Sequence, residues 1–238
     1  MKKLLFIAGI PHSGTSLLDK ILDLHEEISS IVDYSKDPVD LIENELNIFS
    51  SQKELDNYIN KFNFKETQYL LMKNPHNLDF IDKILSIKSY NTKVIIIYRD
   101  IRDVALSLFY RNDSMWPDYE SAIKYCVEKY KIIEKSSSSI LKINYDDIIN
   151  NFDTVFNNIS NYLEISNNNN DIIKRFEANT CKKQIPEDKN HIDRRRTQLK
   201  KKIYNSSRFE NETTEAQKIV YNKYVKNIDI LKNTLFIL

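Results

Sequence analysis

Gly9-Ile10-Pro11-His12-Ser13-Gly14-Thr15-Ser16 has the frame G-x-x-x-x-G-x-[ST]. It lies between an apolar run, Lys3-Leu4-Leu5-Phe6-Ile7-Ala8, and a stretch where Leu17, Leu18, Ile21 and Leu22 recur at helical spacing. Strand, loop and helix in that order are the setting in which a glycine loop cradles phosphate: successive N–H groups and the positive helix end face one anion. Thr15 and Ser16 add hydroxyl donors. The glycine economy singles out the same loop. Average usage would give a chain of this length roughly seventeen glycines, and this one has 2, both here. Positions that keep glycine against such a bias are those where a Cβ is forbidden. A nucleoside triphosphatase has Lys before the final Ser/Thr, and this chain has Thr15 there. That argues against ATP or GTP hydrolysis.

Outward from the loop, apolar runs and helical stripes alternate. Tyr69–Met72 reads as a strand closed by Lys73-Asn74-Pro75, after which Asn77 is expected to cap a helix. Val94-Ile95-Ile96-Ile97-Tyr98, β-branched almost throughout, reads as a central strand leading into Arg99-Asp100 and a helix over about 101–112. Residues 37–62 read as one or two helices broken at Ser50-Ser51, about 117–135 as a long helix, 139–143 as a strand and 213–232 as a final helix. The expected fold is a three-layer α/β/α domain over residues 1–238, with a mainly parallel central sheet and a P-loop-like strand–loop–helix.

Composition bounds the function. With 35 Lys+Arg against 34 Asp+Glu and a net charge of +1, no global field attracts a polyanion, and nucleic acid is not an expected partner. No apolar run reaches the 18 or more residues of a membrane span. The N-terminal run resembles a leader peptide but has no small-residue cleavage site, so it reads as a buried strand of a cytoplasmic protein. Two cysteines, Cys126 and Cys181, exclude a disulfide scaffold, and His25, His76 and His191 lack metal-ligand spacing, so no metal is expected.

Four blocks in order carry a family resemblance. Pro11-His12-Ser13-Gly14-Thr15-Ser16-Leu17-Leu18 resembles the 5′-phosphosulfate loop of sulfotransferases, although the family usually has Arg or Lys where this chain has His12. Lys73-Asn74-Pro75 is similar to the family's Lys-x-Pro step, and the stretch from Val94 to Ser107 to its 3′-phosphate motif. Asn144-Tyr145-Asp146-Asp147-Ile148 is similar to its Tyr-Glu-Asp-Leu stretch, and Leu22 to Ile28 looks like the tyrosylprotein and carbohydrate branches. The resemblance implies a donor, 3′-phosphoadenosine 5′-phosphosulfate, a product, 3′-phosphoadenosine 5′-phosphate (PAP), and transfer to a hydroxyl or amine, with a carbohydrate among the acceptor classes.

It also implies roles. The loop with Ser13, Thr15 and Ser16 takes the 5′-phosphate; Arg99 and Ser107 take the 3′-phosphate; Lys73 and His12 reach the sulfuryl or bridging oxygen. Asp33 falls where the tyrosylprotein-like branch has its basic carboxylate, with Asp37, Glu26, Glu27 and His12 as competitors. One arginine of Arg194-Arg195-Arg196, represented by Arg195, is expected to close over the 3′-phosphate. Two other classes stay open: a small-molecule kinase with a degenerate loop, and a non-catalytic nucleotide-binding module. The acceptor pocket, about 33–66 and 180–210, carries no readable motif, and oligomeric state is open.

Overall fold

The computed structural model describes residues 3–32, 43–62, 67–110, 115–167, 169–178 and 213–225. Five strands form one all-parallel sheet in the order β2 (Ile28–Ser30), β3 (Tyr69–Lys73), β1 (Lys3–Gly9), β4 (Asn91–Tyr98), β5 (Leu141–Asn144). β1 is the middle strand, with Ile7 level with Lys73 on one side and Ile95 on the other. Its unbroken apolar run follows from that position, since a parallel strand with a neighbour on each side and helices on both faces meets no water.

Strand alternation divides the core in two. Leu4, Phe6, Ala8, Leu70, Met72, Val94 and Ile96 face one layer. That layer includes α2 (Gln52–Ile59), α3 (Ile81–Leu85), α4 (Ile101–Phe109) and α5 (Tyr119–Lys135). Leu5, Ile7, Tyr69, Leu71, Ile95, Ile97 and Ile143 face the other, built on α1 (Thr15–Asp23), α7 (Phe152–Leu163) and α8 (Asn169–Ala178). Between β5 and α7 lies α6 (Tyr145–Asn150), and the last described helix, α9 (Glu215–Val225), packs on α5 through Tyr221 and Tyr224. Among the described residues no helix is long and apolar enough to cross a membrane.

Two local expectations need correction. Asn77 does not cap a helix. Asn74 does, accepting from the His76 amide at the head of a 3₁₀ turn, Pro75–Phe80, while the buried Asn77 amide reaches back to the Ile7 carbonyl. Residues 43–45 are not helical, with Glu45 extended, and are followed by a 3₁₀ turn at Leu46–Ser50 and by Ser51 as the cap of α2. Edge strand β2 and helices α6 and α8 are additional to the elements read from the sequence. Asp33, Asp37, Cys181, His191, Arg194, Arg195 and Arg196 lie outside the described residues.

Candidate active site at the carboxyl edge of the sheet

All strands being parallel, their carboxyl ends share one edge, where open α/β sheets form their ligand crevice. Gly9, Lys73, Tyr98-Arg99 and Asn144-Tyr145 arrive there from β1, β3, β4 and β5.

The loop after β1 is packed as tightly as its glycines imply. A Cβ on Gly9 would stand 2.5 Å from the Ile97 carbonyl oxygen, and one on Gly14 2.5 Å from Cδ2 of Tyr145. Gly14 has φ 104° and forms the N-cap of α1, and no side chain caps that helix. Side chains of Ser51, Asp100, Asp118 and Asn144 cap α2, α4, α5 and α6, whereas α3 and α7 resemble α1 in having none. The Thr15 and Ser16 amides, in the first turn, have no intrahelical acceptor. His12 has φ 71°, a left-handed shape that a side chain other than glycine adopts at a cost. Ser13 holds the loop from behind: its amide donates to the Ile10 carbonyl at 3.0 Å and its buried hydroxyl to the Ile97 carbonyl at 3.1 Å. With the Ser13 hydroxyl committed to the Ile97 carbonyl, the donors this loop could offer an anion are those of Gly14, Thr15 and Ser16.

Lys73 is buried, 1 % exposed at its side chain, and its Nζ lies 2.9 Å from Oε1 of Glu43, which is 27 % exposed. Alternation along β3 turns Lys73 to the face on which α1 packs, beside the glycine loop. Glu43 reaches it through a net of asparagines. The Asn44 amide donates to the Lys73 carbonyl at 3.2 Å, Asn74 Nδ2 to the Asn44 carbonyl at 2.9 Å, and Asn77 Nδ2 to the Ile7 carbonyl at 3.0 Å and to Asn44 Oδ1 at 3.0 Å. Asn44, Asn74 and Asn77 are all buried.

Arg99 leaves β4 beside α4. Its Nη2 is 2.9 Å from Asp103 Oδ2, one helical turn on, and its guanidinium carbon is 4.7 Å from the centre of the Tyr145 ring. Tyr145 thereby stands between the guanidinium and Gly14. A guanidinium has five donors, so the pair with Asp103 does not exhaust it. Ser107, half-buried, lies two turns along α4. Burial pushes the Asp146 carboxyl up, with Asp103, Asp100 and Asp147 adding to the shift and Arg99 opposing it.

Other candidates fall away from this edge. Glu26 and Glu27 follow α1, which runs back across the sheet; the Glu27 carbonyl accepts from the amide of Tyr69, the first residue of β3. The Glu27 carboxylate accepts from the Ser166 amide and from Gln68, and His25 bridges the Glu27 amide and the Ser166 carbonyl. His76 faces Asp79 at 3.9 Å. Cys126 is fully buried on α5 and its thiol is pushed up by burial, which makes it inert. The sequence reading missed Glu43, Tyr145 and the asparagine net. The asparagines at 44, 74 and 77 form no periodic pattern; Asn74 and Tyr145 lay within blocks already singled out, and Asn77 was read as a cap, but none was given a place in the site.

Comparison with known proteins adds to this geometry. Residues 2–228 match the sulfotransferase domain family. Among solved structures, mouse sulfotransferase SULT7A1 complexed with PAP has a TM-score of 0.60 at 15% identity, covering 100% of this chain and 90% of that one. Sulfotransferase STF9 from Mycobacterium avium has a TM-score of 0.57 at 11% identity, with 96% and 77% covered. The sulfotransferase domain from the Synechococcus PCC 7002 olefin synthase has 0.54 at 14%, with 100% and 97% covered. At such identities the likeness is one of fold. The sequence has no significant match among curated proteins.

Proposed function

The chain belongs to the sulfotransferase domain family, and from that premise we propose that it moves a sulfuryl group from 3′-phosphoadenosine 5′-phosphosulfate to a hydroxyl or amine, a carbohydrate hydroxyl being the first acceptor to test. The observation that carries this reading is the meeting, on one edge, of a lysine-free glycine loop, a buried ammonium and a guanidinium. The donor set fits such a ligand. An uncapped helix start and a loop with no room for a Cβ at Gly9 or Gly14 suit a 5′-phosphate, and Arg99 suits a second, 3′-phosphate.

When bound, the phosphosulfate supplies both the sulfuryl group and a phosphate leaving group. The chain's residues do the rest. The amides of Gly14, Thr15 and Ser16 and the hydroxyls of Thr15 and Ser16 hold the 5′-phosphate, with Pro11 and Ser13 shaping the loop. Lys73, from the neighbouring strand, donates to the oxygen on which charge develops, and His12 adds a second donor. Preorganised donors of this kind are worth about 3–4 kcal/mol each in a transition state. Arg99 and Ser107 hold the 3′-phosphate, with Arg195 proposed to close over it. A carboxylate takes the acceptor's proton; Asp33, the position that the family resemblance offers, lies outside the described residues, so the choice falls to the carboxylates that the structure describes. No metal has a part in this scheme. We place the protein in the cytoplasm as one domain, a reading supported by the unbridged, buried Cys126.

The test uses donor labelled with ³⁵S, incubated with the protein and an extract of small metabolites and oligosaccharides. The expected result is label in an acceptor product, with one PAP released per transfer. Transfer of the terminal phosphate from labelled ATP instead would show a kinase. PAP binding without transfer of either label would leave a nucleotide-binding module.

A further inference from the structure

We propose that Glu43 is the general base, the carboxylate that takes the acceptor's proton as the oxygen–sulfur bond forms; this rests on the sulfotransferase reading and deepens it. The base must stand near Lys73, because the acceptor attacks the sulfur whose leaving oxygen Lys73 meets. Among the described carboxylates, position decides. Glu26 and Glu27 lie at the amino edge of the sheet. Asp100, Asp103 and Asp146 gather around Arg99 and Arg102, where they are ion-paired or buried. Glu43 is 2.9 Å from the Lys73 ammonium, and the amide of the next residue, Asn44, bonds the Lys73 carbonyl at the carboxyl end of β3.

Two further features suit it to the task. Its segment is pinned: Asn44, next in the chain, is bonded to the Lys73 carbonyl and, through Asn77, to the Ile7 carbonyl of the strand that opens the glycine loop. Catalytic groups act best from rigid supports, and three buried asparagines with paired amides are such a support. Glu43 is also the open member of its ion pair, 27 % exposed against 1 % for Lys73, so an acceptor arriving from solvent meets the carboxylate first.

The step balances. The acceptor oxygen bonds to sulfur while its proton passes to the Glu43 carboxylate. The bond from sulfur to the bridging oxygen breaks, and its electron pair stays on the phosphate oxygen, which accepts from the Lys73 ammonium. One acid–base pair thus serves both ends of an in-line transfer.

The test compares wild type, Glu43→Gln, Glu43→Asp and Glu45→Gln in full-length protein, measuring PAP binding by calorimetry and the rate of ³⁵S transfer from the phosphosulfate to the products of the metabolite extract. Glu45, an exposed neighbour paired with Lys61, controls for surface charge. The expected result is that Glu43→Gln binds PAP like wild type but transfers label roughly 10²–10⁴-fold more slowly, the span typical of a lost general base. Glu43→Asp regains at least tenfold over Gln, and Glu45→Gln keeps the wild-type rate. A loss below a hundredfold in Glu43→Gln overturns the proposal. If Glu43→Gln fails to bind PAP, Glu43→Asp decides: binding and transfer restored supports the assignment, and neither restored overturns it. Failure of wild type to bind PAP or to transfer label overturns the sulfotransferase reading itself, which is a separate and recognisable result.

Discussion

Gly14 shows how much one residue can be asked to do. At φ 104° it stands under the Tyr145 ring, and it opens α1 without a side-chain cap. Alanine there would meet both a left-handed backbone, costing about 1–2 kcal/mol, and the ring. We expect Gly14→Ala to lower the unfolding midpoint by roughly 2–8 °C, at about 2–4 °C per kcal/mol for a chain of this size, and to weaken PAP binding at least tenfold by calorimetry. Unchanged binding would mean that the loop is only a turn. Asp146 offers a pH test. Its carboxyl is raised above 3.8 by burial, with Asp103, Asp100 and Asp147 adding and Arg99 opposing. The folded chain therefore holds this proton more tightly than the unfolded chain, so its contribution to stability falls as pH rises through the window just above 3.8. Asp146→Asn should remove that slope and unfold at or above the wild-type midpoint at neutral pH. A midpoint that drops at neutral pH would show that the charged form is the stabilising one. At this scale the sequence is readable where a residue type is scarce, as glycine is. It is silent on Glu43, because a glutamate in a polar stretch has no mark until Lys73 is beside it.

At the scale of elements, β1 and β4 were legible because both faces of each are buried, which forces continuous apolar or β-branched runs. β2 was not: three residues, Ile28–Ser30, pair with β3 alone and carry no run to mark them. α6 was hidden by its cap, since Asn144 ends β5 and starts the helix in one residue. Residues 43–45 fall in the stretch read as helical, but the Asn44 amide bonds the Lys73 carbonyl of β3 and Asn74 Nδ2 bonds the Asn44 carbonyl, which keeps them out of a helix. Long-range hydrogen bonds leave no periodic trace, and propensity yields to them. Asn77→Ala tests how much that net contributes. It would remove the shorter bonds of the buried Ile7 carbonyl and Asn44 side-chain amide, leaving only 3.4 Å contacts from the Asn74 amide and to the Glu45 carbonyl, at about 2–3 kcal/mol for the two together. We expect a midpoint lower by roughly 4 °C or more, measured by thermal unfolding, and slower ³⁵S transfer because Glu43 loses its support. A variant as stable as wild type would show that water replaces the amide.

For the whole molecule, one parallel sheet with helices on both faces explains why the glycine loop, Lys73, Arg99 and Tyr145 meet although more than a hundred residues separate the first from the last. Each follows a different strand, and parallel pairing delivers every carboxyl end to the same edge. This level was the most legible, since alternating strand and helix signals specify the architecture without knowledge of any contact. The central claim is that this edge holds a 3′-phosphorylated nucleotide. It is tested most directly by thermal unfolding with saturating PAP, set beside ADP, ATP with Mg²⁺ and buffer. At a hundredfold excess over its dissociation constant a specific ligand adds about 2.7 kcal/mol, which should raise the midpoint by roughly 5–10 °C. The account predicts that shift with PAP and little with ADP or ATP. A shift with ATP alone, or with none of the nucleotides, would contradict it.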